Sequence, residues 1–259
     1  MALSWKLGKV AGIDLHLHWT FLLWLAFVGL ATPGGLTAVA VLASVFACVA
    51  LHEFGHAIAA RKFGIATRDI TLYPIGGVAR LEGLPRAPIA ELTIALAGPA
   101  VNLAIALGLT LIAPALDGAA GAFVGLLAWV NWMLAAFNLI PAFPMDGGRV
   151  LRALLSPALG RSRATDLAAN VGQVLAVAFG AYCLWHGLWM QAALAAFLYF
   201  AAARERESTR IEEAGRARPD FAPAPGAPIG LWVRRGDGVW QLMPIVVNDG
   251  PSRQARPWA

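Results

Sequence analysis

Residues 36 to 60 form an apolar run whose only charged side chain is Glu53. A run of that length is what a helix needs to cross a hydrocarbon core of ~30 Å. Glu53 sits in the sequence His52-Glu53-Phe54-Gly55-His56. On a helix, the two histidines stand one turn apart on one face. Two imidazoles so spaced can hold one zinc ion, with the intervening Glu placed to act as a base on an attacking water. A carboxylate at bilayer depth costs at least ~2.5 kcal/mol on insertion scales. That cost argues for chemistry at this position.

The rest of the chain has the same character. Its 259 residues are 59% hydrophobic and 14% charged, against about 25% charged in an ordinary soluble domain. The apolar residues come in long blocks, as in a polytopic membrane protein. The formal net charge of +5 is spread between those blocks and makes no patch, so its first meaning is topological and no nucleic-acid partner is expected. Cys48 and Cys183 both lie in apolar blocks, and no disulfide framework is indicated. Cys48 falls one turn before His52, but holding it with both histidines would stretch a ligand set over ~12 Å of helix. Lys6 and Lys9 precede the first apolar run as in a signal peptide, yet another long apolar block follows, so a retained first helix is the better reading.

Six spans are expected, at about 17–32, 36–62, 89–115, 120–141, and two more within 167–203. The last stretch would be ~55 Å long as one helix, so it is divided near His186-Gly187. Lys6 and Lys9, then Arg61 to Arg86, then Arg149 to Arg163, then Arg204 to Arg210 fill alternate connections, and the others carry no Lys or Arg. The positive-inside rule then puts every basic segment, and both termini, in the cytoplasm. The fold class is therefore an all-α polytopic membrane protein of about six transmembrane helices. Residues 66–82, with β-branched residues around Pro74 and Gly76-Gly77, read as a short cytoplasmic β-hairpin between helices two and three, or as an irregular connector. An exposed strand edge there could pair with an extended peptide. Residues 1–203 form the transmembrane core, the Pro- and Ala-rich stretch 204–228 a flexible linker, and 229–259 a short tail with a possible β-hairpin around Arg235-Gly236-Asp237-Gly238.

A catalytic zinc takes three protein ligands and leaves a position for water. Beyond His52 and His56 the choices are few. His16 and His18 lie before the first span, and His186 at the opposite face. Asp69, Glu82 and Glu91 sit near the cytoplasmic boundary, and Asp117 on the outer side. Asp146 follows a break, Asn138-Leu-Ile-Pro141-Ala-Phe-Pro144-Met-Asp146-Gly147-Gly148. Broken backbone at membrane depth is tolerated where protein or a water-filled cavity surrounds it. Asp146 and Glu53 lie at compatible depths near the cytoplasmic ends of their spans. The plainer reading of Asp146 is a helix cap.

The His52–His56 motif, the stretch Ala97-Gly98-Pro99-Ala100-Val101-Asn102, the Asn138–Gly147 segment and the opening Gly8 to Trp19 together resemble the site-2 protease family of intramembrane zinc metalloproteases. The likeness covers roughly residues 6–203 and is to the small prokaryotic type, without nucleotide-sensing or PDZ modules. It implies one zinc ion held by His52, His56 and Asp146, with Glu53 as general base. Asn138 matches a residue that positions substrate, and Asn102 is a second such candidate, or else bonds a neighbouring helix. It also implies a membrane-embedded protein substrate and a place in a prokaryotic cell membrane.

A rival class is a divalent-metal transporter, since permeases also place His and Glu one turn apart. A transporter would be expected to draw ligands from several spans along a through-path, and the outer halves of these spans carry almost none. A catalytically inactive, chaperone-like relative is a third reading, opposed by the intact set His52, Glu53, His56 and Asp146.

Overall fold

A computed structural model describes residues 4–74, 76–83, 87–217, 230–234 and 240–244. The chain divides into two units, Met1–Ile211 and Glu212–Ala259.

The larger unit opens with a hairpin that the sequence reading did not foresee. Strand β1 (Ser4–Val10) turns back into β2 (Ile13–His18) through Ala11 and Gly12, at φ 49° and 85°. Positive φ at both turn residues matches the right-handed twist of the strands. Helix α1 (Trp19–Ala31) follows directly, with His18 at its cap position. At 13 residues it is ~20 Å long, short of the ~30 Å core. The span expected at 17–32 is thus shortened from its start, because residues 17 and 18 belong to a strand.

Helix α2 (Gly35–Lys62) carries the His-Glu-Phe-Gly-His motif. Strands β3 (Thr67–Tyr73) and β4 (Gly76–Leu81) come next, where the hairpin was expected. They are part of something larger: β2 pairs in parallel with β3, giving a four-stranded sheet in the order β1-β2-β3-β4. Its buried face, Ile13 and Ile70, packs against Phe54 and Ala57 of α2. The sheet is thereby seated on the helix that bears the motif.

Helix α3 (Pro88–Ile112) is central, packed against α2, α4 (Gly118–Asn138) and α5 (Asp146–Leu159). After α5 come α6 (Arg161–Trp185) and α7 (Trp189–Ala217). The break between them falls at His186 and Gly187, where Gly187 takes φ 70°, so the expected division of that long apolar stretch stands. Four helices among the described residues are long and apolar enough to cross a membrane: α2, α3 with the 3-10 turn that follows it, α4 and α6. Six spans are not established, since α1 is too short and the apolar part of α7 ends at Arg204.

Helix α7 continues to Ala217, into the stretch read as linker. Its charges explain this: Arg206 and Arg210 reach Asp166 of α6 at 3.3 and 3.2 Å, and Glu205 receives Arg152 of α5 at 2.8 Å. A buried ion network lies beneath. Arg152 bonds Glu91 of α3, which also receives Arg161 of α6 at 2.8 Å. The Arg152 guanidinium lies 4.9 Å from the Phe143 ring centre. In the second unit, β5 (Gly230–Arg234) pairs antiparallel with β6 (Trp240–Pro244). The turn expected around Arg235-Gly236-Asp237-Gly238 lies outside the described residues.

Candidate metal centre and active site

Helical spacing brings His52 and His56 to one face of α2, with their rings buried against α3. Asp146 arrives from the other direction. After α4 ends, Phe143 is anchored by its amide to the Ala168 carbonyl of α6 and by its ring to Ala168, Ala169 and Ala202. The chain then enters α5 with Asp146 as its first residue. Met145, not Asp146, holds the cap position, so the capping reading of Asp146 gives way to a different geometry. Its Oδ2 lies 3.2 Å from His52 Nε2 and 3.1 Å from His56 Nε2, and the two nitrogens are 3.0 Å apart.

Among the described residues this is the one group of three or more His, Cys, Asp or Glu side chains placed to share a metal ion. Its chemistry fits zinc. His56 Nδ1 faces the Ile94 carbonyl at 2.7 Å. A carbonyl only accepts, so Nδ1 carries the proton and Nε2 presents a lone pair. His52 Nδ1 faces Asn102 Oδ1 in the same sense. Two imidazole lone pairs and a carboxylate oxygen therefore converge with no proton between them, an arrangement that a cation relieves. Tetrahedral zinc, with bonds of ~2.0–2.1 Å, sets its ligand atoms ~3.3 Å apart. The observed triangle, with edges of 3.0–3.2 Å, has that size.

Glu53 lies beside the triangle and lines a cavity of about 220 Å³ with Val49, His52, Gly76, Gly77, Asn102, Leu134 and Asn138. Its carboxylate has no hydrogen-bond partner among the described residues. Asn138 spends one N–H on the Leu134 carbonyl at 2.9 Å, which leaves its oxygen and second N–H for the cavity. Asn102 turns its oxygen to His52 and its amide nitrogen to Asn131 Oδ1 of α4, at 2.8 Å. All six residues singled out from the sequence thus meet at one place. The other ligand candidates do not join them. Glu91 is taken by arginines, Asp69 lies 3.7 Å from Arg80, and His18 stacks on Tyr73.

Two close approaches shape the site. A Cβ on Gly98 would fall 2.6 Å from His52 Nε2, so α3 can pass the imidazoles only without a side chain there. A Cβ on Gly77 would fall 2.7 Å from Glu53 Cγ, so strand β4 runs directly against the carboxylate. Asn131, which completes the contacts of Asn102, was not foreseen. A signal existed: it lies two helical turns before Asn138 on an otherwise apolar helix.

A fold that seats a His-Glu-x-x-His helix against a distant Asp-Gly turn has a family. The model of Peptidase family M50 matches residues 40–119 and 111–179, and the chain belongs to that family. Among similar proteins is a zinc metalloprotease of Methanocaldococcus jannaschii, 39% identical over 216 residues, covering 82% of this chain and 63% of that protein. A putative zinc metalloprotease of Mycobacterium tuberculosis is 37% identical over 259 residues, covering 84% of this chain and 64% of that one. The chain thus spans just under two thirds of the length of these relatives. A solved site-2 protease structure from Methanocaldococcus jannaschii superposes with a TM-score of 0.61 at 38% identity, covering 78% of this chain and 95% of that one.

Proposed function

We propose that this chain is an intramembrane zinc metalloprotease that hydrolyses a peptide bond in or near the transmembrane segment of a membrane-anchored protein. The observation that carries the reading is the convergence of His52, His56 and Asp146 beside the cavity lined by Glu53, whose carboxylate has no hydrogen-bond partner among the described residues. Membership of a peptidase family favours it over a transporter.

Zinc, when bound, supplies a Lewis acid that polarises the scissile carbonyl and acidifies a water. His52, His56 and Asp146 would hold the ion, beside the cavity that Glu53 lines. Glu53 removes a proton from the attacking water as its oxygen adds to the carbonyl carbon. The same proton is then delivered to the amide nitrogen as the C–N bond breaks, giving a carboxylic acid and an amine. Asn138, at the cavity wall, donates its remaining N–H to the substrate backbone.

A helical substrate hides its amides and has to open locally. Strand β4 is the outer strand of its sheet and passes against Glu53. An extended substrate segment added to that strand would lie beside the carboxylate. Basic residues in alternate connections support six membrane-associated helices with both termini cytoplasmic. Water would then enter from the cytoplasmic side, and the cytoplasmic fragment of a single-span substrate would be released.

The test is co-expression with tagged single-span substrates. Glu53→Gln is expected to keep zinc and lose cleavage, and chelation of the wild type to abolish cleavage until zinc is restored. Full cleavage by Glu53→Gln would overturn the reading.

A further inference from the structure

We propose that Asn131, which is not part of the ligand triangle, is a positioning residue: it sets the direction of the Asn102 amide and so decides which nitrogen of His52 is free for zinc. The inference rests on the zinc reading of the site.

The contacts form a chain with one sense. The Leu127 carbonyl can only accept, so it takes an N–H from Asn131 Nδ2 at 2.8 Å. This turns the Asn131 oxygen toward α3. That oxygen also only accepts, and it takes an N–H from Asn102 Nδ2 at 2.8 Å. Asn102 Oδ1 is thereby turned toward His52 and accepts from Nδ1. The proton of the ring is held at Nδ1, and Nε2 faces His56 and Asp146 with its lone pair. Asn102 and Asn131 are both at 0% exposure, so solvent does not stand in for a missing link.

An asparagine amide is nearly symmetric in shape. Only its partners tell its oxygen from its nitrogen. Without the Asn131 oxygen, the Asn102 NH2 group loses its acceptor and can turn to His52 Nδ1. It would then donate to Nδ1 and move the ring proton to Nε2, where zinc has to bind. A residue that merely packs α3 against α4 would behave otherwise, since an apolar side chain of similar volume would serve.

Zinc affinity of the full chain in lipid nanodiscs, measured by competition with a chromophoric chelator, separates the two. Asn131→Leu is expected to weaken zinc binding ~10- to 100-fold, the range for partners that orient a ligating histidine. Asn131→Asp keeps an acceptor for Asn102 and is expected to lie between Leu and wild type. In an Asn102→Ala background, Asn131→Leu is expected to have no further effect. A packing role predicts the reverse order, Leu at or above Asp, or equal losses in both backgrounds; either result overturns the proposal. If Asn131→Leu does not yield folded protein, Asn131→Ala carries the same comparison. A wild type that takes up no zinc would overturn the zinc reading itself, whereas a wild type that binds zinc as tightly as Asn131→Leu would overturn this inference alone.

Discussion

His52 and His56 reach a common point with different support. His56 leans on a backbone carbonyl, that of Ile94, which no substitution removes. His52 depends on the side chain of Asn102 and is the more easily disturbed. Asp146 supplies the only charged donor of the triangle. Asp146→Asn keeps the shape but exchanges a carboxylate oxygen for a neutral one or an N–H, so zinc affinity is expected to fall further than in any Asn131 variant, read by the same chelator competition. Gly98→Ala would set a methyl carbon against both imidazoles. Loss of zinc stoichiometry is expected even though the change is a single carbon. The histidine pair was legible because a four-residue spacing is a local signal, whereas Asp146, with prolines before it and glycines after it, was singled out as third ligand through the family resemblance. Asn131 was not legible, because its role exists only once α4 lies against α3. The oxygen of Asn102, read as a possible contact for substrate, is directed at His52 for the same reason.

At the scale of elements, the hairpin after α2 was readable from its β-branched residues and glycines, whereas its sheet was not. Pairing β2 with β3 joins residues some fifty positions apart, Asp14 with Asp69 and Leu17 with Leu72, and no local pattern announces that. Helix α5 was also missed although its apolar residues recur at helical spacing, because its arginines were read as a basic connection between spans; Arg152 instead turns inward to Glu91 and Glu205. Breaking a buried ion pair from one side costs ~3–5 kcal/mol. Arg152→Ala is therefore expected to lower thermal stability strongly and to loosen α5, with Asp146 at its start. The measurement is a melting curve with and without zinc. Gly77→Val is a cleaner probe of β4. It should leave zinc content unchanged while cleavage falls, because the added side chain meets Glu53 and not the ligands.

Over the whole molecule, the apolar blocks marked most helices, including the turn at His186-Gly187 between α6 and α7. The first block is not established as a span, because a strand takes its first residues and leaves a helix of 13. The orientation inferred from basic residues can be measured. With Cys48 and Cys183 replaced by Ala, a cysteine at Ala119 is expected to react with an impermeant thiol reagent applied to intact cells, and one at Arg163 only after lysis. The reverse pattern would invert the assigned topology. The parallel join between β2 and β3 has a mechanical meaning as well. It closes the polypeptide into a ring, with α1 and α2 as the long way round. The pair α1 and α2, motif helix included, is thus tethered at both ends to one sheet, and cutting away the opening strands is expected to loosen the metal-binding face although neither strand supplies a ligand.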